Sequence, residues 1–172
     1  MPPEKNYFDL FGLHAGFDID TNDLAARYRK LAREAHPDRF ASGSDAERRL
    51  AMQMTTLLNE GFRVLKEPVS RARYLLELKG VDFPEGTVAA VAPAFLMQQM
   101  ELRERLDELR GERVGIDQFA AEVDGLMRAK EQVLRSQLAP QSWQPQQAKL
   151  TVQEMQFLEK LREQIHDLQE SG

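Results

Sequence analysis

The sequence predicts an all-α protein in two parts, an N-terminal helical hairpin with short flanking helices and a C-terminal three-helix bundle. Two observations carry the class. No segment alternates apolar and polar residues between turn residues, and β-branched residues are sparse, so strand signals are nearly absent. Several stretches instead repeat apolar residues with a helical period. Size and composition allow for two cores: the chain has 172 residues, 42% of them hydrophobic and 30% charged, enough for one medium domain or two small ones.

The elements follow from their punctuation. A short helix fits Tyr7 to Leu13. The next, Thr21 to about Ala35, is preceded by Asp20 and carries Asp23 in its first turn, a plausible cap. Pro37 disfavours helical geometry at His36 and should stop it there. After the loop Pro37-Asp38-Arg39-Phe40-Ala41-Ser42-Gly43, Ser44 or Asp45 caps a longer helix reaching about Lys66. Pro68 suits the first turn of a fourth helix, which runs to Leu78 and is closed by Gly80. Gly80, Pro84, Gly86 and a run of small residues up to Pro93 read as a linker over 80–92. Three more helices are expected at roughly 94–110, 116–138 and 147–169. Gly111 and Gly115 break the first pair; Pro140 and Pro145 bracket Trp143, a packing anchor, between the second pair. Short connections favour antiparallel neighbours. The expected division is therefore 1–79, linker 80–92 and bundle 93–172.

Composition excludes several chemistries. There are 28 acidic and 23 basic residues, a net charge of -5, which argues against general binding to nucleic acid or to an anionic membrane. There is no cysteine, so this chain supplies no disulfide, thiolate metal ligand or cysteine nucleophile. His14, His36 and His166 are scattered without ligand spacing. No cofactor and no metal site is expected. The opening Met1-Pro2-Pro3-Glu4-Lys5-Asn6-Tyr7-Phe8 lacks a basic region followed by an apolar core. The longest apolar run, Val88 to Met97, is about half a membrane span and holds Pro93. These features lead us to expect a cytoplasmic protein with no membrane partner.

Two helix faces stand out when residues are stepped around the axis at about 100° each. In the second helix Leu24, Tyr28, Leu31 and Ala35 share the core stripe, and Arg29, Lys30 and Arg33 cluster opposite. Such a stripe is either a solvated polar face or a docking surface. It ends at His36-Pro37-Asp38. A catalytic reading would make His36 a general base oriented by Asp38, but rigid sequence neighbours rarely give that geometry, and no nucleophile or phosphate-cradling loop accompanies them. No catalytic residue is assigned. In the fifth helix Phe95, Leu102, Leu106 and Leu109 form the core stripe. Met97, Met100, Glu101, Glu104 and Glu108 lie roughly opposite, with Leu96 on the shoulder. Either the methionines pack on a neighbouring helix, or they form an adaptable apolar patch rimmed by carboxylates.

The string Tyr28-Arg29-Lys30-Leu31-Ala32-Arg33-Glu34-Ala35-His36-Pro37-Asp38-Arg39-Phe40 resembles the J-domain signature. Tyr7-Phe8-Asp9-Leu10-Phe11-Gly12-Leu13 resembles the J-domain opening, and Leu58-Asn59-Glu60-Gly61-Phe62-Arg63-Val64-Leu65 its third helix. Ala35 stands where an aromatic residue is usual. The resemblance implies that His36, Pro37 and Asp38 engage the ATPase domain of a DnaK-class chaperone, with the basic second helix docking on an acidic surface.

Three further strings resemble the HscB family of co-chaperones in iron–sulfur cluster assembly. They are Phe40-Ala41-Ser42-Gly43-Ser44, Glu67-Pro68-Val69-Ser70-Arg71-Ala72-Arg73-Tyr74-Leu75-Leu76-Glu77-Leu78 and Ala94-Phe95-Leu96-Met97-Gln98-Gln99-Met100-Glu101-Leu102-Arg103-Glu104. Without the amino-terminal zinc extension of some eukaryotic relatives, the chain resembles the bacterial form. The resemblance implies an adaptor without catalysis, whose HscA-like chaperone partner is delivered an IscU-like scaffold. It places Leu96, Met97, Met100, Glu101, Glu104, Glu108 and Phe157 at the scaffold-binding face. Phe157 also lies on the stripe of Leu150, Leu161 and Leu168, which allows a structural role. The alternative within the same class is a J-domain co-chaperone for a different client.

Overall fold

The computed structural model describes residues 6–83 and 92–171, and among them there are seven α-helices and no strand. They are α1 (Tyr7–Leu10), α2 (Thr21–Glu34), α3 (Asp45–Lys66), α4 (Pro68–Leu78), α5 (Pro93–Glu108), α6 (Arg113–Leu138) and α7 (Pro145–Glu170), with 3-10 turns at Pro37–Phe40 and Pro140–Ser142. By contact the chain divides into two compact units, Met1–Leu75 and Leu76–Gly172. The expected linker at 80–92 falls largely on 84–91, outside the described residues.

Local chemistry explains the helix ends. Asn6 and Asp9 form a reciprocal capping box at α1. The α1 helix stops at Leu10, short of the expected Leu13. Gly12 takes φ 67°, its N–H donates to the Asp9 carbonyl, and the Leu13 N–H donates to Phe8. These two reversed bonds close a helix at a left-handed residue, a conformation that glycine adopts without steric cost. Asp20 caps α2 by accepting from the Asn22 and Asp23 amides, and Ser44, not Asp45, caps α3 by accepting from Glu47. Pro93 and Pro145 occupy the first turns of α5 and α7, where a missing N–H costs nothing. Only one of the two expected glycine breaks interrupts a helix. Gly111 has φ 89°, whereas Gly115 lies inside the first turns of α6.

In the first unit α2 and α3 form the antiparallel hairpin. The rings of Tyr28 and Phe62 stack at 4.3 Å, and the Tyr28 hydroxyl donates to the Asn59 side chain at 2.5 Å. Gly61 lets α1 approach α3, since a Cβ there would meet the Tyr7 ring at 2.9 Å. The Tyr7 N–H donates to the Tyr74 hydroxyl of α4 at 2.9 Å, and the two rings stack. Phe8, Phe11, Phe17, Leu24, Leu58 and Leu65 are buried.

Arg71 is a buried cation within this unit. Its Nε donates to the Phe17 carbonyl at 2.7 Å and its Nη1 to the Leu65 carbonyl at 2.8 Å. Its guanidinium lies over the Phe17 ring. Leu65 is in the last turn of α3, where carbonyls lack helical partners and a cation is favoured.

In the second unit α6 and α7 run antiparallel, joined by Lys130 to Glu154 and by Arg162 to Asp124 at 2.8 Å. With α5 they enclose Leu102, Leu106, Ile116, Phe119, Val123, Leu158, Leu161 and Ile165. Trp143 is half-buried at the connection from α6 to α7.

All three tyrosines lie in the first unit and the single tryptophan in the second, so each unit has its own optical probe. Arg71→Met removes the buried guanidinium that donates to the Phe17 and Leu65 carbonyls. It should destabilise the first unit by about 2–4 kcal/mol, lowering the melting transition seen by tyrosine while leaving the Trp143 transition in place. An unchanged tyrosine transition would contradict the anchoring role.

Candidate functional site

Two surfaces hold the residues singled out by the sequence, one in each unit. In the first unit α2 ends at Glu34, and the chain passes through His36 into the 3-10 turn Pro37–Phe40. The Asp38 N–H donates to His36 Nδ1 at 3.2 Å. The imidazole acts as the cap of the turn. The Asp38 carboxylate lies 3.7 Å from the same nitrogen, too far for a hydrogen bond. Asp38 does not orient His36; the imidazole braces Asp38. Its side chain is 93% exposed, against 56% for His36. The arrangement holds the Asp38 backbone and leaves its carboxylate exposed.

Arg29, Lys30 and Arg33 are exposed on α2 and form no ion pair among the described residues. Arg39 adds an exposed cation within the turn itself, a residue that the reading of the α2 stripe passed over. Two α3 side chains approach the turn from outside its own sequence. Arg48 donates to the Ala41 and Gly43 carbonyls at 3.3 and 2.6 Å, while Thr55 donates to the Ala51 carbonyl of its own helix at 2.8 Å and lies 3.4 Å from the Ala35 carbonyl. Ala35 is half-buried, so the base of the turn closes on α3 without an aromatic side chain at that position.

On α5 of the second unit, Phe95, Leu102 and Leu106 are buried as the core stripe requires, and Leu109 packs against that cluster. Leu96, Met97 and Met100 are 51%, 64% and 59% exposed. Both methionines therefore point away from the bundle core, which removes the alternative that they pack on a neighbouring helix of the bundle. Glu101, Glu104 and Glu108 are exposed along the same side. Phe157 is half-buried on α7. It meets Phe95 edge-on at 5.9 Å, and Arg103 covers its face at 5.1 Å. It stands at the margin between core and surface.

Beside this face Arg105 reaches α6 and donates two hydrogen bonds to Glu122, both at 2.6 Å. These bonds hold the Glu122 carboxyl below the usual carboxylate range and push the Arg105 guanidinium up. Neither surface is a cavity with convergent titratable groups. Among the described residues no cluster of three or more His, Cys, Asp or Glu is placed to hold a metal ion, and no helix is long and apolar enough to cross a membrane.

Comparison with known proteins matches both parts of the chain. The family model described as the HSCB C-terminal oligomerisation domain matches residues 91–166. A co-chaperone protein HscB homolog of Azoarcus sp. (strain BH72) is 43% identical over 98% of this chain and 96% of its own length. Another, of Bordetella petrii, is 41% identical over 97% of this chain and 98% of its own length. The structure of the chaperone HscB from Vibrio cholerae superimposes with a TM-score of 0.86 at 32% identity, covering 97% of this chain and 99% of that one. The fold agrees with the all-α hairpin and bundle expected from sequence, and identity at this level over nearly the whole length carries the family with it. The chain belongs to the HscB co-chaperone family.

Proposed function

We propose that this co-chaperone is a non-catalytic adaptor that binds an IscU-like scaffold through α5 and delivers it to a DnaK-class, HscA-like chaperone, whose ATP hydrolysis it stimulates. In this reading the first unit is the J-domain and the second is the scaffold-binding bundle. The observation that carries the proposal is the turn at Pro37–Phe40, where the His36 ring fixes the backbone and leaves the Asp38 carboxylate exposed. A preorganised carboxylate makes a strong charge-assisted hydrogen bond to a basic group of a partner. The unpaired cations Arg29, Lys30 and Arg33 steer the encounter with an acidic surface, and His36 and Pro37 set the geometry of contact.

The effect on hydrolysis is a population shift. The adaptor binds one conformation of the ATPase better than another and contributes no group to the phosphate. On α5, Leu96, Met97 and Met100 supply a deformable apolar centre, Glu101, Glu104 and Glu108 a charged rim, and Phe157 its margin. Holding cargo and chaperone on one chain raises the effective concentration of cargo at the chaperone, so each contact can be weak.

Three experiments test this reading. Asp38→Asn should abolish ATPase stimulation of a purified HscA-type chaperone while leaving the melting temperature and scaffold affinity unchanged, because the carboxylate makes no hydrogen bond inside the fold; retained stimulation would remove the assignment. Charge reversal of Arg29 and Lys30 should weaken chaperone binding and flatten its dependence on salt, whereas identical affinities across ionic strength would count against steering. Met97→Ala with Met100→Ala should cost scaffold affinity about 1–3 kcal/mol by calorimetry with little change in melting temperature. Full affinity in that double variant would place the scaffold elsewhere.

A further inference from the structure

Three cations fasten α5 to its neighbours through aromatic rings. The Lys130 ammonium of α6 lies 5.5 Å from the centre of the Phe95 ring. The Arg103 guanidinium lies 5.1 Å from Phe157 of α7, and that of Arg105 lies 4.7 Å from Phe119 of α6. Stepped around the helix, Arg103 and Arg105 border the Phe95, Leu102 and Leu106 stripe on opposite sides. Each grips a different partner helix, so the pair resists rotation of α5 about its own axis. Apolar contacts alone resist it less, because α5 has large apolar side chains on both faces: Phe95, Leu102 and Leu106 inward, Leu96, Met97 and Met100 outward. A helix apolar on two sides has a competing orientation, and directional contacts decide between the two.

Of the two grips, that of Arg105 is the more directional. It is a fork-to-fork pair with Glu122, with two hydrogen bonds of 2.6 Å, made by a guanidinium that also stacks on a ring. A planar fork fixes both distance and orientation, which a lysine in the same place does not. We infer that Arg105, through Glu122 of α6, is a positioning residue that sets the rotation of α5 and so holds Leu96, Met97 and Met100 outward for the scaffold. This inference rests on the proposed scaffold-binding reading of α5.

The sign of the effect separates positioning from simple electrostatics. Arg105 lies beside a rim of carboxylates. Arg105→Gln makes that rim more negative, so a partner attracted by the rim would bind more tightly if charge were the only role. Positioning predicts the opposite. The test measures binding of a purified IscU-type scaffold by calorimetry, with amide hydrogen exchange of the free full-length protein, for wild type, Arg105→Gln, Arg105→Lys, Glu122→Gln and the swap Arg105→Glu with Glu122→Arg. Arg105→Gln and Glu122→Gln should each weaken binding by about threefold to tenfold, the scale of an exposed but bidentate, ring-stacked pair. Exchange should rise in α5 and stay unchanged in α6 and α7. Arg105→Lys should recover only part of the affinity, and the swap most of it. Unchanged or tighter binding in Arg105→Gln, wild-type exchange across α5, or a swap no better than the single variants would overturn the inference. A wild-type protein that binds no scaffold refutes the functional reading instead, and the exchange comparison then decides the positioning role by itself.

Discussion

The hydrogen bond from the Asp38 amide to His36 Nδ1 is the contact on which the functional account depends. It ties the residue before Pro37 to the residue after it, and the proline ring removes one more degree of freedom. The backbone turn is satisfied by an imidazole, and the Asp38 carboxylate, 3.7 Å from that ring, makes no hydrogen bond inside the described structure. It stays exposed on a main chain that the imidazole holds. A partner that binds it does not have to order it first. Beyond it, Arg48 of α3 secures the far end of the segment through the Ala41 and Gly43 carbonyls, so the same helix that builds the core also holds the loop.

In the proposed function the two candidate surfaces would work by different physics. The first is charge on a rigid frame: unpaired cations of α2 and one carboxylate, whose influence would reach beyond contact distance and be screened by salt. The second is a small apolar patch of Leu96, Met97 and Met100 with carboxylates beside it, which would act only in contact and on the dissociation rate. Neither contributes to the core of its unit. In the first unit that work falls to buried aromatic and aliphatic side chains and to Arg71; in the second, to the seam of α5, α6 and α7. The exposed Asp38, Arg29, Lys30, Met97 and Met100 should therefore be alterable with little effect on folding, unlike Phe157, which packs against the core cluster.

Much of the fold was legible because its signals are local. Caps, prolines and apolar periodicity place the seven helices among the described residues to within a few residues, and the residue strings of α2, α4 and α5 carry the family. The errors have local physical causes too. The α1 helix ends early because Gly12 adopts a left-handed conformation, and α6 begins before Gly115 because one glycine in a first turn is tolerated when the remaining residues pack. The exposure of Met97 and Met100 was half legible: periodicity placed them opposite the core stripe but did not show whether another helix lay there. The contacts that brace the sites were not legible. Arg48 with the loop carbonyls and Arg105 with Glu122 join residues whose pairing depends on how helices cross. Nor was the local role of the His36 ring legible: the spacing argued against a base and its orienter, but only the folded turn shows the imidazole accepting from the Asp38 amide.

The most direct measurement of the central claim is the steady-state ATP hydrolysis of a purified HscA-type chaperone, titrated with this protein alone and again with an IscU-type scaffold present. The account predicts stimulation that saturates with added protein and rises further when the scaffold is supplied. Turnover that stays at the chaperone's own rate under both conditions would contradict it.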